Sequence, residues 1–186
     1  DLEVCINEKV PFIITSMKPP TDVNKAIHSY GGLHFHDVIN RRHAEKAIEA
    51  GVDGLILVCA GAGGHAGTLN PFAFCAEIRP LFDGLIILAG CINTAKDIKA
   101  AQLLGADLVY MGTRFIPTIE AHASDTYKEM IIKANMDDII YTSEFTGVNA
   151  NFLKPSIKAV GINPASIAGP SNKKPNKLWS VSYTHL

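Results

Sequence analysis

The chain has 186 residues, 47% of them hydrophobic and 19% charged, with a formal net charge of -1. That length suffices for one substantial core, and the 17 basic residues are scattered rather than massed, which leaves no footprint for nucleic acid. No apolar run reaches the roughly 18 to 20 residues of a membrane span, and the first residues, DLEVCINEK, lack a charged-then-apolar leader.

The four cysteines, Cys5, Cys59, Cys75 and Cys91, form no CxxC pair, and three lie in or beside apolar runs, where reduced cysteine acts as a small hydrophobe. A reducing, cytoplasmic setting and a small-molecule partner are the expectations.

In chain order, residues 10–16 (VPFIITS) form a short β-branched run, followed by the turn-like KPPT. Val23, Ala26, Ile27 and Tyr30 then fall at helical spacing. The pattern repeats: GLHFHDV before RRHAEKAIEAG, GLILVC before PFAFCAEIRPLF, GLIILAG before NTAKDIKAAQLLG, and DLVYMG before a helical run over 119–134. Continuous apolar strands alternating with amphipathic helices predict a parallel sheet covered by helices, either a doubly wound sheet or a (β/α)8 barrel. Helices ending in AGVDG, FDG and LGAD suit a left-handed residue before the next strand. Beyond Asp137 the periodicity fades into a segment rich in Asn, Pro, Ser and Lys, expected as a cover on one side and then a flexible tail, KKPNKLWSVSYTHL.

The carboxyl ends of strands carry the site in both architectures, and three glycine-bearing loops fall there. GAGGHAG and AGCINT match neither GxGxxG nor the P-loop. AGCIN and YMGT close two consecutive strands, each before a helix whose unpaired first-turn N–H groups could hold a phosphate; short βα turns are the alternative. His65, among glycines that allow close backbone approach, suits a general base with an ordinary pKa of about 6.5. His34 and His36, two apart on a strand, share a face and could point into a barrel, but no third ligand gives a metal site. His36 and Asp37 are candidates for the site wall. Lys18, Lys154 and the aromatics of FTGVNANFLKPS read as a lid or a packed connection, and Cys59 has no basic neighbour to make it a nucleophile.

AGAGGHAG (60–67) and ILAGCINTAKDIKAAQLLGADLVYMGTRFIPTIEA (87–121) together resemble the nitronate monooxygenase family, formerly called 2-nitropropane dioxygenases. The likeness runs over about 10–162 and includes PPTDVNKAIHSYGG, DDIIYTSEFTGVNANFLKPSI and GINP. It implies an FMN-dependent (β/α)8 TIM barrel that oxidises alkyl nitronates, and by proton abstraction neutral nitroalkanes, with O2 to carbonyl compounds and nitrite. It also implies that His65 is the catalytic base. Gly63 and Gly64 would line the flavin, and Gly90, Cys91, Tyr110, Met111, Gly112 and Thr113 would lie near its phosphate. Two departures from the family stand out: Cys91 where it often has glycine, and Val58 where a glutamine is common.

Counted backwards from DLVYMG as the eighth barrel strand, VPFIITS is the fourth, so a C-terminal barrel fragment of about strands 4 to 8 is expected. Residues 1–136 would be the partial barrel and 137–186 its extension and tail; such a chain alone is expected neither to hold FMN stably nor to turn over. The resemblance leaves two rivals, an FMN-dependent enoyl-acyl-carrier-protein reductase and an inactive barrel that only binds flavin or phosphate.

Overall fold

Five short aliphatic runs, too short for helices and flanked by turn residues, form the expected parallel sheet. In the computed structural model, which describes residues 2–170, these are β1 (Phe12–Thr15), β2 (Leu33–Val38), β3 (Gly54–Val58), β5 (Leu85–Ala89) and β6 (Leu108–Tyr110), in the order β1-β2-β3-β5-β6. They belong to one compact unit, Asp1–Ala60 with Gly67–Tyr110.

Helices alternate with the strands: α2 (Thr21–His28), α3 (Arg41–Glu49), α4 (Pro71–Ile78) and α5 (Ala95–Leu103). A short α1 (Leu2–Asn7), not read from the sequence, precedes β1. Asn40, Asn70 and Thr94 cap α3, α4 and α5 by accepting first-turn N–H groups. Gly51 and Gly105 follow α3 and α5 in the left-handed region, as expected. The aspartates of AGVDG and LGAD act differently: Asp53 accepts the His34 N–H at 2.7 Å and Asp107 the Ile86 N–H at 2.8 Å, tying each strand start to its neighbour.

Along β2 the pleat sends alternate side chains to opposite faces. His34 and His36 turn towards the helices rather than into a barrel: His34 Nδ1 meets Asn24 of α2 at 2.7 Å, and both imidazoles meet the Thr15 hydroxyl at 2.7 Å. Leu55, Leu57, Ile86 and Leu88 are buried on the same side. On the other face Phe35, Ile56, Ile87 and Ala89 cluster, with the Phe12 ring 4.4 Å from that of Phe35.

The second unit comprises Gly61–Ala66 with Met111–Leu186. Here the structure departs most from expectation. The segment expected only as a cover contains β7 (Ile139–Thr142), β8 (Ala150–Leu153) and α7 (Lys154–Ala159), and β4 (Gly64–His65) joins them in an antiparallel sheet ordered β4-β8-β7. Phe152, Ala150 and Ile157 form its core, with Phe145 edge-on to Phe152 at 5.0 Å. The helix expected over 119–134 starts only at α6 (Asp125–Lys133), where Ser124 supplies the cap. The tail KKPNKLWSVSYTHL lies outside the described residues.

Candidate functional site

In the first unit the carboxyl ends of three neighbouring strands stand side by side: Val58 pairs with Ala89, and Ala89 with Tyr110. Gly90 and Cys91 follow Ala89 directly, so they and Tyr110 share one edge of this sheet. Both Gly90 (φ 121°) and Cys91 (φ 56°) have positive φ, and the Cys91 thiol lies 4.0 Å from the Ala60 carbonyl. This backbone suits glycine at Cys91, because a Cβ in the left-handed region clashes with the neighbouring carbonyl.

The expected open helix N-terminus after Gly90 and Cys91 is filled from within the chain. Asp97 accepts the N–H groups of Asn93 (3.0 Å) and Thr94 (2.8 Å) in a capping box, which holds its carboxyl below the ordinary range. After Tyr110 comes not an α-helix but a 3₁₀ turn, Thr113–Phe115, with no side-chain cap. A phosphate here would meet turn backbone rather than a helix dipole.

In the second unit His65 sits on a strand, not in a free glycine loop. Gly64 pairs with Asn151 and His65 with Ala150, and the Ala66 N–H donates to the Asn149 carbonyl at 3.3 Å. Side chains hold both sides of the pair: Asn151 Nδ2 donates to the Ala62 carbonyl and the Tyr141 hydroxyl to the Ala66 carbonyl, each at 2.8 Å. These two positioning residues were missed by sequence reasoning, which saw their segment as packing; the polar residues inside NANF were the available signal.

Among the described residues the His65 imidazole has no hydrogen-bond partner, and burial lowers its pKa below the ordinary value although much of the residue is accessible. Gly63 meets Thr113 so closely that a Cβ at Gly63 would overlap Thr113 Oγ1, whereas Gly112 and Gly64 face open space. Gly63 and Thr113 are thus brought together in this unit, as are Gly64 and His65.

Other candidates are placed away from such chemistry. Cys59 is buried and its thiol is pushed up to about 12 by desolvation, so it is no nucleophile. Lys154 Nζ donates to the Asp137 carbonyl. No group of three or more His, Cys, Asp or Glu suited to a metal occurs among the described residues, and no helix there is long and apolar enough to cross a membrane.

The parallel sheet with its alternating helices defines an α/β scaffold, and the comparisons with known proteins agree. The family model for nitronate monooxygenase matches residues 1–164, and the chain belongs to that family. A probable nitronate monooxygenase of Staphylococcus saprophyticus is 31% identical over 162 residues, 78% of this chain and 44% of the relative. Among solved structures, FabK from Thermotoga maritima is similar at a TM-score of 0.78 and 31% identity, covering 82% of this chain and 49% of that one. A nitroalkane oxidase from Streptomyces ansochromogenes is similar at a TM-score of 0.74 and 25% identity, covering 82% and 47%. The fold class is that of part of a (β/α)8 barrel, with the expected βα units in order. The chain spans less than half the length of the curated relatives it matches.

Proposed function

We propose that the whole protein is an FMN-dependent monooxygenase that oxidises alkyl nitronates with O2 to carbonyl compounds and nitrite. The observation that carries this is the strand-held His65, an imidazole with no partner among the described residues and a lowered pKa, in a chain of this family. The residues present fit a flavin phosphate and ring. The two consecutive positive-φ residues Gly90 and Cys91 turn the backbone at the sheet's edge, and the Gly64 and Gly112 backbones face open space with no Cβ to keep a ligand away. Gly63, Gly64, Gly90, Cys91, Tyr110, Met111, Gly112 and Thr113 are the proposed cofactor-binding residues. The flavin, when bound, supplies electron transfer and reaction with O2.

His65 does the protein's acid–base work. At neutral pH an unprotonated ring nitrogen takes the acidic α proton of a neutral nitroalkane; a nitronate, already ionised, needs no such step. Asn151 and Tyr141 hold the flanking carbonyls and so limit how far the imidazole moves.

The likeness to FabK favours one second reading, the enoyl-acyl-carrier-protein reductase. O2 uptake with an alkyl nitronate, set against NADH consumption with an enoyl thioester, separates the two. Rapid O2 uptake with nitrite release is expected; NADH turnover without it would reverse the assignment.

A further inference from the structure

Asp37 is a carboxyl group on an otherwise apolar sheet face. With His34 and His36 turned to the helices, Leu33, Phe35 and Asp37 of β2 project from the other side. Asp37 pairs in register with Ile56, and Ile56 with Ile87, both members of the Phe35 cluster. On β1, β3 and β5 this face presents only apolar side chains, with Ser16 just past the end of β1. Among the described residues the other titratable group on it is Tyr110, at the end of β6.

The Ser16 hydroxyl is near enough to Asp37 to favour its ionised form, while Asp37 Oδ1 is buried and has no hydrogen-bond partner among the described residues. Placing a carboxyl among aliphatic side chains costs free energy, and its unmade bond leaves an oxygen able to pair with a ligand. Asp37, next to last in β2, stands two strands from β5, which Gly90 and Cys91 follow, and three from β6, which ends at Tyr110.

We propose that Asp37, the next-to-last residue of β2, is a specificity-determining residue: protonated, it donates a hydrogen bond from Oδ1 to an oxygen of a small planar organic anion of the nitronate class, and ionised, it repels that anion. This rests on the nitronate reading. Desolvation raises the Asp37 pKa, and the Ser16 hydroxyl opposes it.

The probe is nitrite, a small planar anion, titrated calorimetrically into the whole FMN-loaded protein from pH 5 to 9. Wild-type affinity is expected to fall about tenfold per pH unit above the Asp37 pKa. Asp37→Asn, whose amide still donates, is expected to bind within about threefold of wild type at pH 5 and to lose that fall. Ser16→Ala, which leaves the carboxyl in place, should move the inflection to higher pH. Parallel profiles for wild type and Asp37→Asn, or an inflection that Ser16→Ala leaves unmoved, overturn the proposal. If nitrite does not bind although the protein oxidises nitronates, the proposal fails and the functional reading stands; if nitronates are not oxidised, that reading fails and the proposal with it.

Discussion

Asn24 Oδ1 accepts from His34 Nδ1 at 2.7 Å, and this bond assigns the protons along a buried chain of side chains. Asn24 Nδ2 donates to the Ala50 and Gly51 carbonyls at 2.8 and 3.1 Å, so its oxygen must be the acceptor. His34 Nε2 then carries no proton and accepts the Thr15 hydroxyl, whose oxygen accepts from His36 Nδ1, each at 2.7 Å. The chain stitches β1, β2 and α2 together around a neutral His34, and burial makes its protonation costly.

Acid should therefore weaken this unit. Burial, then the neighbouring His36 and His28, lowers the His34 pKa from 6.5 to about 4, with Asp53 opposing. Because the folded value lies below the unfolded one, the stabilisation is complete above pH 6.5 and is lost as pH falls through about 4. The full loss is about 3 kcal/mol. Urea midpoints at pH 7.5 and 4.5 check it, and His34→Gln should remove most of the difference while lowering stability at pH 7.5.

For His65, the expected signature is selective. His65→Asn should lower kcat/KM for a neutral nitroalkane by about 10² to 10³-fold and leave oxidation of the preformed nitronate within about tenfold of wild type. Parallel assays on the two substrate forms measure this, and an equal loss on both would mean the imidazole serves structure alone.

Cys91 offers a gain in stability. A non-glycine residue at φ 56° carries a penalty of about 1 to 2 kcal/mol, partly offset in glycine by its greater unfolded-state freedom. Cys91→Gly is expected to raise unfolding free energy by about 1 kcal/mol and Cys91→Ala not at all. Denaturant titration of the three chains distinguishes the backbone effect from loss of the thiol.

The Gly63 and Thr113 contact predicts a coupled pair. Gly63→Ala drives a methyl into Thr113 Oγ1 and should cost about 1 to 3 kcal/mol. In a Thr113→Ala background the same substitution should cost less than half as much, a difference that a double-mutant cycle reads directly.

What the sequence made legible follows from how local each signal is. The runs 54–58 and 85–89 announce buried parallel strands because nearly every position is aliphatic, and Asn70 with Pro71 announces the start of α4. The start of α6 was misjudged because Ile119 looks like a core residue; it is 93% exposed, and the helix waits for the Ser124 cap. β7 and β8 were illegible since each has four residues and gains its strand character from a distant partner. Shared-face spacing was visible for His34 and His36, yet spacing alone does not say which face; Asn24 and Thr15 decide that. The glycines around His65 suggest close backbone approach, and only the pairing with Ala150 shows the residue to be held on a strand.

That pairing also orders events in time. The Asn151 bond to Ala62 closes a sequence separation of 89 residues, and the Tyr141 bond to Ala66 one of 75. Loops of this length form late because their closure entropy must be met before the contact contributes. During synthesis the strand segment 54–58 can pair with 85–89 as soon as both emerge, but His65 stays on an untethered loop until residues 139–153 have been made and folded. The imidazole thus acquires its fixed position only once the segment that carries Tyr141 and Asn151 is in place.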